Sequence, residues 1–179
     1  KKLVESAKVT STVVKALIDK EIFEEYYIQQ DRVMYSGEAT KKELLLSNAQ
    51  QEAFDAIQNQ FSNREVCLLH GVTSSGKTEI YIKWIETFLA TGKQVLYLLP
   101  EIALTTQLVS RLRLHFGDKV AVFHSKFNNN ERVEVWYQVL QNAEKAQIVI
   151  GARSALFLPF QQLGAIIVDE ENEQTFKQM

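Results

Sequence analysis

The run Gly71-Val72-Thr73-Ser74-Ser75-Gly76-Lys77-Thr78 constrains this chain more than any other stretch. It fits G-x-x-x-x-G-K-[ST] at every fixed position, follows the apolar run Val66-Cys67-Leu68-Leu69 and opens a segment of helical period. Strand, tight loop and helix in that order make a phosphate cradle. Glycines at both ends allow backbone angles closed to other residues, so that amide hydrogens of the loop residues Val72, Thr73, Ser74 and Ser75 converge on phosphate oxygens at a helix N-terminus. Lys77 is placed to reach the β and γ phosphates. The Thr78 hydroxyl is the expected Mg²⁺ ligand.

The rest of the chain from Leu44 onward alternates in kind. Apolar runs at Val66 to Leu69, Val95 to Leu99, Val120 to Phe123, Ile148 to Ile150 and Ala165 to Val168 read as strands. Stretches at Ser47 to Gln60, Thr78 to Ala90, Ile102 to Phe116 and Asn130 to Asn142 read as helices. Such alternation predicts an α/β lobe with a mostly parallel sheet covered by helices on both faces. Residues 1–39 differ. A helix over Thr10 to Lys20, cappable through the hydroxyl of Thr10 or Ser11, precedes two strand-like runs, Ile22 to Gln29 and Arg32 to Tyr35. That order fits the tail of a winged-helix module, and it fits a small appendage without a ligand equally well. The polar stretch Ser36 to Lys42 puts the boundary near residue 40, dividing the chain into 1–39 and 40–179.

Ala165-Ile166-Ile167-Val168 ends in Asp169-Glu170-Glu171. At the carboxyl end of a parallel strand, Asp169 would lie near the phosphate loop and hold Mg²⁺, and Glu170 would orient or deprotonate an attacking water. Gln50, about twenty residues before the loop, is the candidate for an adenine edge, since an amide both donates and accepts; taken alone, a Gln on an amphipathic helix is more often surface. Three further polar clusters follow strand ends. They are Pro100 with Thr105 and Thr106, His124-Ser125, and Arg153-Ser154. Each reads as a loop by itself, and together they suggest a track for a nucleic-acid backbone, with Arg153 the most direct phosphate partner. Phe116, Phe157, Phe160 and Trp136 read as core anchors, with base stacking open for Phe157 or Phe160.

Composition adds exclusions. The 20 Lys and Arg nearly balance 22 Asp and Glu, so the net charge of −2 argues neither for nor against nucleic acid. Cys67 is the single cysteine, which leaves no internal disulfide and no Cys-rich zinc site within these residues. No apolar stretch approaches the ~18 residues of a bilayer-spanning helix, and the N-terminus lacks a secretory pattern, so a cytoplasmic location is expected. Starting at Lys1 and stopping soon after its acidic run, the sequence reads as part of something larger.

Taken together, the phosphate loop, Leu99-Pro100-Glu101-Ile102-Ala103-Leu104-Thr105, His124-Ser125 with Glu131-Arg132, Gly151-Ala152-Arg153-Ser154-Ala155-Leu156-Phe157, and Val168-Asp169-Glu170-Glu171 resemble the bacterial primosomal replication-restart DNA helicases, primosomal protein N-prime, of helicase superfamily 2. The resemblance implies a P-loop NTPase, recombinase-like first helicase lobe, ending just after the Walker B acids and preceded by a winged-helix remnant. It implies an ATP- and Mg²⁺-dependent enzyme that unwinds DNA 3′ to 5′ at stalled forks, with forked and single-stranded DNA, primosome proteins and single-stranded-DNA-binding protein as partners. It also implies that an N-terminal DNA-binding domain, the second lobe with its arginine finger and a zinc module lie outside this sequence. Asn172 stands where the family usually has His, and Ala152 where it commonly has Thr. A superfamily 2 duplex translocase or nuclease-associated motor is the alternative within this fold. A docking module without catalysis is the alternative outside it.

Overall fold

The computed structural model describes residues 10–20, 44–72, 75–100, 106–124 and 127–171. The chain separates into two compact units, Lys1–Ser36 and Gly37–Met179. In the first, helix α1 covers Ser11–Asp19. Thr10 stands at its N-cap in extended conformation, but the hydroxyl makes no capping bond, contrary to expectation. Thr10 is exposed, so water can serve the free amides instead. The two strand-like runs between Ile22 and Tyr35 lie outside the described residues.

In the second unit the order is α2 (Asn48–Phe61), α3 (Lys77–Leu89), β1 (Gln94–Leu98), α4 (Thr106–Phe116), β2 (Val120–Phe123), α5 (Asn129–Leu140), β3 (Ile148–Gly151) and β4 (Leu163–Val168). The four strands form one parallel sheet in the order β2-β3-β1-β4. All five residues of β1 are buried, as expected of an inner parallel strand with both faces covered. One face carries Val95, Tyr97, Ile148, Ile150 and Ile167 against Ile82 and Ile85 of α3 and Leu112 of α4. The other carries Leu96, Leu98, Ala121, Phe123 and Val149 against Val139 of α5. Helices thus cover both faces, as the alternation predicts. Each fully buried Ile of α3 contributes about 1.5–3 kcal/mol by leaving water, which is what holds the loop-bearing helix on the sheet.

One expected strand is not observed. Val66 to Leu69 runs outside the sheet, with Val66 82% and Leu68 71% exposed. A continuous apolar run gives a segment the capacity to be a strand. A strand exists only where a neighbour completes its ladder, and β4, at the sheet edge, keeps Ile166 and Val168 largely exposed.

Gln94 is a structural element that local patterning does not reveal. Fully buried at the head of β1, its Nε2 donates to the carbonyls of Val139 (3.0 Å) and Ala146 (3.5 Å), and its Oε1 accepts from the amides of Gln161 (3.1 Å) and Gln162 (3.2 Å). One amide joins the end of α5, the turn before β3 and the approach to β4. Behind α3, Trp84 meets Phe54 edge-on at 5.5 Å and stacks on Phe61 at 5.4 Å, fixing α2 against the loop-bearing helix.

Candidate nucleotide site

Gly76 is the N-cap of α3 and adopts φ +85°, the left-handed conformation that favours glycine. A Cβ there would also stand 2.4 Å from Nε2 of Gln50. Gly71 does not use a left-handed angle, so the expectation of special angles at both glycines holds only for Gly76; at Gly71 the demand is for space, because a Cβ would meet Oγ of Ser75 at 2.8 Å. Gly76 offers no side chain to cap the first turn of α3, which leaves its amides available to whatever anion the loop holds. The Lys77 ammonium folds back over the loop, donating to the carbonyls of Gly71 (2.7 Å) and Val72 (3.0 Å). Thr73 and Ser74 lie outside the described residues.

Gln50 belongs to the same structure. Its Oε1 accepts from the amide of Ser47 at 2.8 Å, Ser47 Oγ accepts from the Gln50 amide at 3.3 Å, and its Nε2 donates to the Gly76 carbonyl at 3.2 Å. The first pair is a capping box that starts α2. The third bond ties that start to the last loop residue. One amide hydrogen of Gln50 stays unassigned to these partners, which is the group an adenine edge would use.

Asp169 sits one residue past β4, and the sheet delivers it to β1. Its amide donates to the Leu98 carbonyl at 3.0 Å, and its Oδ2 accepts from the Tyr97 hydroxyl at 2.8 Å. Oδ1 accepts from the Glu170 amide at 3.2 Å. Tyr97 in turn meets the ring of Tyr81 edge-on, centroids 5.8 Å apart. Tyr81 is on α3, one turn after Lys77 and Thr78, so packed side chains connect the helix start to the acid. Burial, then the charges of Asp169 and Glu171, push the Tyr81 hydroxyl up to about 12. Burial first, then the charge and hydrogen bond of Asp169, push Tyr97 far higher, against a small opposing effect of Arg111. Arg111 on α4 is ion-paired with Glu79 in the first turn of α3. Glu170 is exposed and adopts φ +54°, a conformation uncommon outside glycine.

The donors suit Mg²⁺. A carboxylate and a hydroxyl are hard oxygen ligands, and the two hydrogen bonds accepted by Asp169 leave lone pairs on both oxygens. Among the described residues no cluster of three or more His, Cys, Asp or Glu forms a metal cage. Mg²⁺ needs none, because it characteristically takes one or two carboxylates and completes its shell with phosphate and water.

The proposed strand track is placed unevenly. Arg153 opens a short 3₁₀ turn, Arg153–Phe157, and is exposed, with Ser154 half-buried beside it. His124 follows β2, half-buried, its ring 6.3 Å from that of Phe127. Thr106 begins α4. Thr105 and Ser125 lie outside the described residues, as does Asn172. Pro100 is fully buried beyond β1, so its ring is packed against protein and leaves no surface for a strand. Phe116 and Phe160 pack against the two core faces as expected, whereas Phe157 is 87% exposed and Trp136 is exposed on α5 against Tyr137. The 3₁₀ turn explains Phe157. It directs Ala155 into the core and leaves Leu156 and Phe157 outside, beside Arg153.

Tyr97 and Tyr81 had no functional signal in the sequence. A tyrosine inside an apolar strand reads as core, and only the sheet order reveals what its hydroxyl reaches.

A phosphate loop opening a helix that packs on a parallel sheet, with an acid at the carboxyl end of the edge strand, defines the class: a P-loop nucleotide-binding lobe of the recombinase type. The particular family follows from comparison. Residues 47–178 match the family model described as DEAD/DEAH box helicase, and the chain belongs to that family. It is 43% identical over 173 residues to replication restart protein PriA of Bacillus subtilis, covering 94% of this chain and 21% of that protein. It is 48% identical over 133 residues to PriA of Synechocystis, covering 74% and 16%, and 40% identical over 176 residues to PriA of Haemophilus influenzae, covering 94% and 24%. The motif resemblance to the replication-restart helicases is thereby borne out. The chain spans less than a quarter of the length of these relatives. No helix among the described residues is long and apolar enough to cross a membrane.

Proposed function

We propose that this chain is the nucleotide-binding first lobe of an ATP-dependent DNA helicase that moves 3′ to 5′ at stalled replication forks and serves primosome assembly. The observation that carries the reading is the packed path from the first turns of α3 through Tyr81 and Tyr97 to Asp169, which joins the phosphate loop to the acidic crest. In this reading Lys77 exchanges its two loop carbonyls for the β and γ phosphates. Amides of Val72 to Ser75 and the uncapped turn of α3 hold phosphate oxygens, Thr78 and Asp169 hold Mg²⁺, and Glu170 orients or deprotonates the attacking water. Mg²⁺ supplies neutralisation of the phosphate charge. Gln50 reads the adenine edge while steadying Gly76.

Thr105, Thr106, His124, Ser125, Arg153 and Ser154 form the backbone track, and the exposed ring of Phe157 adds a stacking face beside Arg153. Forked and single-stranded DNA, primosome proteins and single-stranded-DNA-binding protein are the partners of the whole protein in this proposal, which places it in the cytoplasm. Residues 1–39 are the end of a winged helix, and the second lobe and a zinc module belong to the rest of the protein.

The test on this chain is titration with a fluorescent adenine nucleotide and Mg²⁺. We expect weak binding and little turnover, since an arginine finger from a second lobe supplies roughly 10³ to 10⁵ in rate. No binding by the native chain, or robust DNA-stimulated hydrolysis by this chain alone, would contradict the proposal. On the whole protein, fork unwinding should require ATP and fail in Lys77→Ala.

A further inference from the structure

Asp169 is gripped twice by consecutive residues of one buried strand. Leu98 holds its amide and Tyr97 holds one carboxylate oxygen. Tyr97 and Ile167 are register partners across β1 and β4, and Asp169 lies two residues beyond Ile167, on the sheet face that Tyr97 shares with α3. The Tyr97 side chain has no accessible surface, and the edge of Tyr81 confines its ring. A hydroxyl fixed in this way determines the rotation of the carboxylate that it contacts.

Resting on the reading of Asp169 as the Mg²⁺ ligand, we propose that Tyr97 is a positioning residue for that carboxylate. The chemistry of the donor favours this role. A lysine or arginine at the same place would neutralise the acid and compete with a divalent cation. A neutral phenol orients the carboxylate and leaves its charge for the metal. Among the described residues Tyr97 donates to Oδ2 and the Glu170 amide to Oδ1, so the two oxygens are made inequivalent before any ligand arrives. Partners of this kind around a metal ligand are typically worth about 10- to 100-fold in metal affinity.

The experiment compares the native chain, Tyr97→Phe and Asp169→Asn by anisotropy of methylanthraniloyl-ADP, titrating Mg²⁺ and repeating the binding in EDTA. Tyr97→Phe keeps the ring and removes only the donor. We expect it to need several-fold to about tenfold more Mg²⁺ for half-maximal enhancement, with EDTA affinity unchanged. Asp169→Asn should lose the enhancement altogether. Should Tyr97→Phe match the native Mg²⁺ curve while Asp169→Asn loses it, the positioning role is overturned and the Asp169 reading stands. Native behaviour in Asp169→Asn would overturn both. An equal fall of Tyr97→Phe affinity in Mg²⁺ and in EDTA would assign the hydroxyl to folding alone and overturn the proposal. Carbon-13 labelling at tyrosine Cζ in the native chain gives a second reading that needs no variant. One tyrosine signal should shift when Mg²⁺ and nucleotide are added together, and a spectrum in which none moves would count against the role.

Discussion

The Lys77 ammonium donates to the Gly71 carbonyl at 2.7 Å, so the two ends of the phosphate loop are closed on each other by the residue that must later hold the phosphate. Any triphosphate has to replace that bond and the second one to Val72. The exchange is favourable because an ammonium bonded to a charged oxygen is stronger than one bonded to a neutral carbonyl. Lys77→Ala should therefore fold normally and bind triphosphate about 10- to 100-fold more weakly, the equivalent of a charged hydrogen bond. Nucleotide titration beside a thermal melt checks both halves, and a collapsed melt would give Lys77 a structural role.

Gln50→Glu separates the two duties of the Gln50 side chain. A carboxylate still accepts from the Ser47 amide but cannot donate to the Gly76 carbonyl, which it would instead repel. Helix α2 should persist by circular dichroism while nucleotide affinity falls by about fivefold, as expected for ~1 kcal/mol. Unchanged affinity would confine Gln50 to capping.

Gly76→Ala meets two obstacles at once, a left-handed backbone and the Gln50 amide at 2.4 Å. The conformational part alone costs about 1–2 kcal/mol. Urea denaturation should show at least that loss, and pairing the variant with Gln50→Ala should recover the steric part only.

Gln94→Leu keeps the approximate volume and removes the buried donor and acceptor that bond two carbonyls and two amides. At roughly 1 kcal/mol for each lost bond, the loss should reach about 3 kcal/mol or more, large for a position with no role in chemistry. A midpoint within experimental error of the native chain would remove Gln94 from the framework.

Alkaline stability should report the tyrosines. Tyr81 is raised from 10.0 to about 12, so the folded chain holds its proton more tightly than the unfolded chain does. Its contribution is complete below pH 10 and disappears as pH rises through 12. Melting temperatures across this window should fall, and Tyr81→Phe should flatten its share of the fall.

Binding of single-stranded DNA should weaken in Arg153→Ala, with the salt dependence reduced by about one phosphate contact. Phe157→Ala should weaken binding without changing that slope, because stacking releases no counterion. An identical slope for Arg153→Ala would take Arg153 off the track.

The amino-acid sequence alone determined the phosphate loop, the alternation of the second unit and the acidic end of β4, because each is written in contiguous residues whose spacing states the geometry. A helix from about Ser47 was legible in the same way, while the reciprocal capping of Ser47 and Gln50 emerged only in the structure. Tertiary structure alone decided what those parts touch. Only strand order and register bring Tyr97 under Asp169, and only burial turns Gln94 from a polar residue at a strand head into the joint of three segments. It also decided against the strand at Val66 to Leu69 and against a core position for Phe157. The physical reason is common to all four: hydrogen bonds and packing across a sheet depend on which neighbour stands alongside, and period along a chain carries no record of neighbours.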